Sequence, residues 1–547
     1  MICGNSSLAF RLAEELTIRY NANITVIMPD AATNQGPRIA ALPHVRVILA
    51  EPDAHAFRDA GLTTADAVAV VFGDDLANVR AAMTAEEVCP GVRIVLRLFN
   101  ETLATSIGRL FTDAAILSDT AIAAPAFVSA ALGVEEPIAV RVAGRQVRVT
   151  PPGDHPNLLC GLAITAPGSP PVLLPSLDEN PNLVLVLDDP EPETPTELVS
   201  RARRANLHRI WHNVRHAVRG TQLVSRGLRW TLIVMFAVVG IGIVTFTVLH
   251  RQDSVWVNVY TMLFTAVGAG QPDTTLSGTE QVIELIITVV GVATIPLLSA
   301  AIVQASVHAR LALGSGVLAA PERGHVVVVG IGNVGTRILR TLHARGVEVV
   351  AIDHAENPLG AQFVREHRIA FIQGDASREG TLSRANVNGA LALVVTTRDD
   401  VTNLEYALQG RALKDGLRVV LRLFGGEFAD KVKNTFDIQI SRSVSALAAP
   451  AFAAAMMGRE VVGTIPVGRR MLLVAELPVL AGSWLSTARI ADIGAHEEAR
   501  PMAVIGLDGR PRWQPEPDHA LAIGETLVVV ATRAGLSRII GQSAVAV

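Results

Sequence analysis

Short apolar runs alternate with helix-like segments through the first 133 residues. The length and β-branched content of buried strands are found in residues 23–28, 45–49, 67–72 and 92–98. Residues 7–18 have the spacing of apolar positions that is typical of a helix. Alternation of this kind indicates parallel strands joined by crossover helices. The pattern therefore predicts a doubly wound α/β domain over residues 1–133.

Two runs in the middle of the chain are apolar for longer than a buried strand requires. Residues 228–249 carry one charge, at Arg229, and residues 282–305 carry one carboxylate, at Glu284. Each run has about the 20 residues that a helix needs to cross the core of a bilayer. Residues 256–270 lie between them, are apolar but too short to span, and end in alternating glycines. This plan predicts a pore, because irregular backbone at membrane depth survives where it lines a wet cavity.

Charge sets the expected orientation and excludes some functions. Residues 201–229 contain eight arginines and no acidic residue, which favours a cytoplasmic location for this segment. Both termini are therefore predicted to be cytoplasmic. The net charge of −4 gives no reason to expect a nucleic-acid partner. The three cysteines form no CxxC pair, and neither disulfides nor a metal site are predicted.

The α/β domain is repeated. Asp-Asp-Leu-Ala-Asn at residues 74–78 recurs as Asp-Asp-Val-Thr-Asn at residues 399–403. Further matches in the same register pair residues 94–99 with 419–424, residues 124–127 with 449–452, and Gly133 with Gly458. Such a repeat predicts two copies of one structural unit. We call residues 1–133 copy one and residues 325–458 copy two; the predicted membrane module, residues 201–324, lies between them.

The remaining segments are rich in predicted strands. Residues 134–200 are interpreted as a β-rich appendix followed by an acidic, proline-rich linker. Residues 459–547 are interpreted as a separate C-terminal β-rich unit.

Copy two carries a glycine motif between a strand and a helix. Gly330, Gly332 and Gly335 follow an apolar strand, and Asp353 ends the next strand. Glycines in this pattern allow a tight turn and let a phosphate approach the amides of a helix N-terminus. An acidic side chain at this sequence distance from the glycines is suited to accept a hydrogen bond from a ribose hydroxyl. The alternative is a Rossmann-like fold that binds no ligand.

Copy one departs from the motif. Ser6 and Ala9 stand where copy two has its second and third glycines, and their side chains crowd the phosphate approach. Copy one is therefore predicted to be mainly structural, although Asp30 could hold a ribose.

The motifs of both copies resemble RCK domains, also called TrkA-type NAD-binding domains. The resemblance rests on residues 330–335, Asp353, Gly374 with Asp375, and residues 399–404. Residues 523–530 resemble part of the RCK C-terminal subdomain, and the middle resembles a two-helix potassium-channel pore. The order of the parts is similar to channels of the CASTOR/POLLUX type. The implied fold class is two Rossmann-like α/β RCK domains flanking an all-α two-helix transmembrane pore module, with a small α+β C-terminal subdomain.

The resemblance also implies ligands and partners. It implies a homotetramer in the cell membrane whose RCK domains form a cytoplasmic gating ring, with a divalent ion or small ligand as a further candidate at the C-terminal subdomain. It implies NAD or another adenine nucleotide as cofactor. The residues implied to contact it are Gly330, Gly332, Asn333, Gly335, Asp353, Gly374 and Asp375.

The implied selectivity filter departs from the potassium-channel pattern. Its positions are Thr265, Ala266, Val267, Gly268, Ala269 and Gly270. The alternating glycines allow carbonyls to replace the hydration shell of an ion, and K+ is the implied permeant ion. Gly291 and Pro296 are a candidate gate hinge, since proline removes a helix hydrogen bond. The alternative for the predicted filter is a glycine-containing loop that does not conduct ions. The alternative for Gly291 and Pro296 is a packing kink in a static helix.

Three functions remain open at this point. The first is a nucleotide-regulated, ligand-gated cation channel. The second is a non-conducting, membrane-anchored regulatory subunit of a potassium transporter. The third is a membrane-bound oxidoreductase, which is disfavoured because no catalytic constellation is seen near the glycine motif; a non-enzyme is expected.

Overall fold

The structure is a computed structural model. It describes residues 1–133, 139–188 and 320–543, apart from short gaps, together with short segments and single residues between 237 and 299. The chain divides into one unit of residues 1–191 and 319–547 and a second unit of residues 192–318.

Copy one contains a parallel six-stranded sheet with helices on both faces. The strands are Ile2–Cys3 (β1), Ile24–Met28 (β2), Val45–Leu49 (β3), Ala67–Val70 (β4), Arg93–Arg97 (β5) and Ala114–Leu117 (β6). Their spatial order is β3-β2-β1-β4-β5-β6. The helices are Ser7–Tyr20 (α1), Gly36–Ala40 (α2), Ala54–Asp59 (α3), Asp75–Val88 (α4), Glu101–Ile107 (α5) and Asp119–Leu132 (α6). The order reverses beside β1, where doubly wound sheets bind their ligands.

A buried asparagine explains the repeated Asp-Asp-x-x-Asn motif. Asn78 is fully buried, accepts a hydrogen bond from the Phe72 amide at 2.7 Å and donates to the carbonyls of Phe72 and Arg97, each at 3.0 Å. Its side chain thereby joins the ends of β4 and β5. Asp74 caps the N-terminus of α4 through the Ala77 amide. The motif therefore holds the sheet to the helix.

An appendix sheet follows copy one. Residues 139–187 form a five-stranded antiparallel sheet of order β10-β9-β11-β8-β7. Its strands are Ala139–Val142 (β7), Arg145–Thr150 (β8), Leu158–Ile164 (β9), Val172–Leu173 (β10) and Leu183–Leu187 (β11).

The predicted pore module is not seen in the described part of the chain. In the second unit, the described helical segments include Val255–Ala266 (α7) and residues 281–290. None of the described helices is long and apolar enough to cross a membrane. The all-α two-helix transmembrane pore module of the predicted fold class is therefore wrong for these residues.

The predicted filter and hinge fall largely outside the described residues. Thr265 and Ala266 are the last residues of α7, and Thr265 is buried. Pro296 has helical backbone. The positions outside the described residues are Val267, Gly268, Ala269, Gly270 and Gly291. Much of the predicted spans, residues 228–249 and 282–305, also lies outside them.

Copy two repeats the parallel sheet, with strand order β14-β13-β12-β15-β16-β17. Its strands are Val326–Val329 (β12), Val349–Asp353 (β13), Ala370–Gln373 (β14), Ala392–Val395 (β15), Arg418–Arg422 (β16) and Ile440–Arg442 (β17). Its helices include Asn333–Ala344 (α8), Ala361–Glu366 (α9), Glu379–Arg384 (α10), Asp400–Leu413 (α11) and Val444–Met456 (α12). Asn403 joins β15 to β16 as Asn78 does in copy one. The predicted Rossmann-like sheets are thus present in both copies.

The last helix of each copy packs on the other copy. Helix α6 contacts α8, β15 and β16, whereas α12 contacts α1, β4 and β5. Phe127 of α6 is fully buried in a core with Ile338 of copy two. Phe452 of α12 is fully buried in a core with Ile2 and Leu12 of copy one. Both helices are rich in alanine and apolar on most sides, as expected for helices enclosed by protein.

The C-terminal unit packs against the appendix sheet. It is a second five-stranded antiparallel sheet, of order β18-β19-β22-β20-β21, accompanied by the helices Ile490–Gly494 (α13) and Arg533–Ser543 (α14). Its strands are Glu460–Val467 (β18), Arg470–Pro478 (β19), Ala499–Ile505 (β20), Pro511–Trp513 (β21) and Thr526–Ala531 (β22). Both sheets contribute to one hydrophobic core. The buried Arg500 donates to the Pro175 carbonyl of the appendix at 2.9 Å.

Helices α6 and α12 each offer a backbone carbonyl to this C-terminal unit. Pro450 lies in α12 and cannot donate to the carbonyl of Ala446 four residues earlier. The Arg533 guanidinium of α14 donates to that carbonyl instead. In α6, the Ile122 carbonyl accepts a hydrogen bond from the Thr464 hydroxyl of β18 at 3.2 Å. This carbonyl is not the one that Pro125 leaves without a helical donor, which is that of Ala121.

We expect Phe452→Ala to destabilise copy one although the residue belongs to copy two. The cavity left by a deleted core phenylalanine should lower the free energy of unfolding by about 3–5 kcal/mol. Denaturant unfolding measures the loss, and hydrogen exchange at the amides of α1 and β2 should accelerate. Leu391→Ala is the control, because Leu391 is 51% exposed. Unchanged hydrogen exchange in copy one would contradict the packing of α12 on copy one.

A buried histidine predicts acid sensitivity. His325 is fully buried, and its Nε2 lies 2.9 Å from the Ala385 carbonyl. Burial is the main cause that lowers its pKa, so the folded state holds the neutral ring. In the unfolded chain the ring takes a proton near pH 6.5. The stabilising contribution is therefore complete above that pH and is lost as pH falls below it.

We expect the midpoint of thermal unfolding to fall between pH 7.5 and pH 5 more steeply in the natural protein than in His325→Gln. Glutamine does not titrate, and its amide can donate to the same carbonyl. Equal slopes in the two proteins would show that His325 does not contribute to the acid sensitivity.

Candidate functional site

The glycine loop of copy two turns tightly between β12 and α8. Gly330 has a φ of +85°, which favours glycine. A Cβ on Gly335 would lie 2.0 Å from the Gly330 carbonyl oxygen, so only glycine fits there. The Thr396 hydroxyl donates to the same oxygen at 2.7 Å and fixes the turn to the end of β15.

Gly332 is different, because it faces open space. It is the N-cap residue of α8, with an ordinary φ of −72°. A Cβ added to it would meet no heavy atom within 4 Å. The first amides of a helix lack intrahelical partners and attract anions. Gly332 therefore leaves room at the N-terminus of α8, next to Asn333, the first residue of that helix.

The Asp353 carboxylate ties the loop to β13. The residue is 8% exposed. Its Oδ2 accepts a hydrogen bond from the Ile331 amide at 2.8 Å, and its Oδ1 accepts one from the Ala355 amide at 3.0 Å. A carboxylate offers about four lone-pair directions, so acceptor capacity remains for a ligand hydroxyl.

The third strand end contributes Gly374 and Asp375. The Gly374 amide donates to the Asp353 carbonyl at 2.9 Å, so β13 and β14 end side by side. Asp375 accepts a hydrogen bond from the Ser377 amide at 2.9 Å. This bond is the main cause that lowers the pKa of Asp375, and a hydrogen bond from the Tyr406 hydroxyl adds to it. Burial is the main cause that raises the pKa of Tyr406 to about 12, and the neighbouring Asp375 adds to the shift.

The predicted nucleotide-contact residues thus lie at one edge of the sheet. Gly330, Asp353 and Gly374 follow or end β12, β13 and β14, and Asn333 and Gly335 begin α8. Thr396 and Tyr406 were not among the predicted residues. The position of Thr396 directly after a strand parallel to β12 was the available signal. Tyr406 gave none, because its contact with Asp375 depends on how α11 packs.

In copy one, polar side chains occupy the corresponding loop. The Asn5 amide donates to the Asp30 carbonyl at 3.1 Å and to the Thr33 hydroxyl at 3.2 Å. The Ser6 hydroxyl donates to the Val71 carbonyl at 2.8 Å and accepts from the Ala9 amide. The Asp30 carboxylate accepts from the Ala32 amide at 2.8 Å. The loop of copy one is thus tied to its own chain.

An unequal set of charges lies between the copies. Arg97 and Asp119 form a buried ion pair at 2.7 Å. In the register of the repeat, Arg422 corresponds to Arg97, but Val444 stands where Asp119 would be. Burial is the main cause that lowers the pKa of Arg422 to about 10, while Asp119 opposes the shift. Asp400 also favours the charged form of Arg422, whereas Arg97 and Arg398 oppose it, so charged groups of both copies lie close together at the ends of β5 and β16.

The comparisons identify the repeated domain. The TrkA-N domain model matches residues 1–118 and 326–442, so the chain contains two TrkA-N domains. A Trk system potassium uptake protein TrkA homolog from Pyrococcus horikoshii is 27% identical over 124 residues, which is 21% of this chain and 54% of the relative. The match spans about half the length of the curated relatives, or less.

Two solved structures share the fold over most of the chain. The GsuK RCK domain has a TM-score of 0.50 at 15% identity and covers 98% of this chain and 94% of its own. The GsuK channel bound to NAD has a TM-score of 0.50 at 15% identity, covering 99% and 78%. At such low sequence identity, the similarity shows a shared fold alone. The resemblance to CASTOR/POLLUX-type channels stays a prediction.

Proposed function

We propose that the protein is a nucleotide-responsive regulator of potassium transport, and that copy two binds an adenine nucleotide such as NAD. The observation that carries the proposal is the glycine loop, fixed by Asp353 and Thr396 but open in front of Gly332. Two relatives point the same way: one bears the name of a Trk potassium uptake protein, and one solved channel is described as bound to NAD.

The charges around the loop favour a particular ligand. A pyrophosphate would meet the amides at the N-terminus of α8. Asp353 would accept hydrogen bonds from ribose hydroxyls, and its charge would repel a 2′-phosphate. Arg422 adds positive charge nearby, since its Nη1 donates to the Thr396 carbonyl at 3.5 Å. NAD is therefore favoured over NADP.

The effect of ligand binding in copy two would be transmitted to copy one through α6, the helix of copy one that packs on copy two. Helix α8, whose N-terminus faces the ligand, packs against α6 of copy one. A ligand shifts such an arrangement only if it binds one state more tightly than another. We propose that nucleotide binding changes the relation between the copies in a homotetramer at the cell membrane, with both termini in the cytoplasm. Regulation of a potassium-transporting pore would follow from that change.

We expect Gly332→Ala to weaken NAD binding at least tenfold, because the added methyl group occupies the phosphate approach without touching the protein. Titration calorimetry on the full chain measures the affinity for NAD, NADP and ADP. Gly541→Ala is the matched control, since its added Cβ also meets nothing within 4 Å and the residue lies in α14, outside copy two. Equal binding by the Gly332→Ala variant, or no binding of any nucleotide by the natural protein, would refute the site.

In cells that lack the natural protein, we expect potassium accumulation at low external potassium to be altered. The natural chain and Gly541→Ala should restore it, whereas Gly332→Ala should not, because it cannot respond to the nucleotide. Flame photometry of washed cells measures the potassium content. Unchanged accumulation after deletion would refute a role in potassium transport. Potassium flux in liposomes that contain the purified chain alone would instead assign conduction to this chain.

A further inference from the structure

Two arginines from different copies lie together where α12 ends on copy one. Arg93 is the first residue of β5, and its Nε donates to the carbonyl of Ala455 in the last turn of α12. Arg459 lies between the end of α12 and the start of β18. We call Arg93 and Arg459 the arginine pair. It lies at the amino end of its strand, whereas the candidate nucleotide site lies at the carboxyl ends of the strands, so the two places are separate.

Arg459 is a buried cation that lacks a counter-ion among the described residues. It is 5% exposed, and its Nε has no hydrogen-bond partner there. Burial is the main cause that lowers the pKa of Arg459, Arg93 adds to the shift, and no carboxylate in the described part of the chain opposes it. A buried charge without a partner is costly, so buried charges are normally paired. The surroundings of Arg459 therefore favour a bound anion.

Arg93 has a partner but keeps donors for a further one. Its Nη1 lies 2.5 Å from Oδ1 of Asp113, and its Nε is used by the Ala455 carbonyl. A guanidinium carries five N–H donors, so Nη2 is left for a ligand. The arginine pair and Asp113 together carry one net positive charge. The side chains of Arg93 and Asp113 are 24% and 47% exposed, so an anion can approach from this side.

The repeat contains a second junction of this kind that has one arginine instead of two. In the repeat register, Arg418 corresponds to Arg93, and Val134 stands where Arg459 would be. The Arg418 guanidinium lies at the end of α6, since a Cβ on Gly133 would be 2.6 Å from its Nη1. The equivalent junction thus has a neutral residue, so the fold does not by itself require an arginine at position 459.

We propose that Arg93 and Arg459 bind a phosphate group, either as the free inorganic ion or as a phosphate monoester. Guanidinium groups match phosphate oxygens in paired hydrogen bonds. A phosphate has enough oxygens to accept from two guanidinium groups, whereas one guanidinium already occupies both oxygens of a carboxylate. Because Arg459 leads into β18, the anion joins copy one to the start of the C-terminal unit. The proposal does not depend on nucleotide binding.

Thermal unfolding of the purified full chain with inorganic phosphate tests the site, at an ionic strength held constant with sodium chloride. The midpoint of the natural protein should rise with phosphate, because a ligand of the folded state stabilises it. Arg459→Met should unfold at a higher temperature than the natural protein when phosphate is absent, since it removes an unpaired buried charge. Its midpoint should not respond to phosphate, and titration calorimetry should show at least tenfold weaker binding.

Arg93→Gln tests the other member of the pair and should also weaken phosphate binding at least tenfold. Arg418→Met is the matched control, because Arg418 occupies the equivalent strand position without a second arginine; it should keep the response. Gly332→Ala should keep it too, which separates this site from phosphate bound at the N-terminus of α8. Circular dichroism checks the fold of each variant.

Methyl phosphate distinguishes the two forms of the ligand. Stabilisation by both methyl phosphate and inorganic phosphate would assign a phosphate monoester, and stabilisation by inorganic phosphate alone would assign the free ion. The proposal is overturned if neither compound stabilises the natural protein, or if Arg459→Met or Arg93→Gln responds as strongly as the natural protein does.

Discussion

Each parallel sheet completes its core with a helix that belongs to the other copy. Helix α12 covers part of copy one, and α6 covers part of copy two. Because both helices are apolar on most sides, neither could stay folded in water without both neighbours. The two copies therefore stabilise each other, and a change in one must be accommodated by the other. A structural change at the glycine loop of copy two would therefore reach copy one through α8 and α6.

The same scaffold carries two different loops. Asn78 and Asn403 make equivalent hydrogen bonds, so the part of the repeat that holds each sheet together is unchanged. The glycine loops have diverged, since copy one ties its loop with Asn5 and Ser6 whereas copy two leaves Gly332 open. The copies also differ at one buried position, where copy one has Asp119 and copy two has Val444, and both keep the same parallel sheet.

Much of this fold followed from local patterns, whereas its long-range packing did not. The repeat register and the strand runs predicted two parallel sheets, and these are present. The glycines and Asp353 predicted a candidate site at the edge of the sheet where the carboxyl ends of the parallel strands meet, and the structure brings these residues together at that edge. The apolar character of residues 444–456 indicated burial but could not indicate which sheet buries them. Hydropathy led to the wrong pore module for a related reason: it measures apolar composition, whereas spanning a bilayer also requires a long continuous helix, and none of the described helices is long and apolar enough.

Pro450 gives α12 a further property. A regular helix uses its carbonyls for its own hydrogen bonds, but Pro450 leaves the Ala446 oxygen without its helical donor, and Arg533 donates to it. The carbonyl left vacant in α12 thereby becomes an attachment point for α14, a distant part of the chain. A fully regular α12 would keep that oxygen for itself and would leave Arg533 without this acceptor.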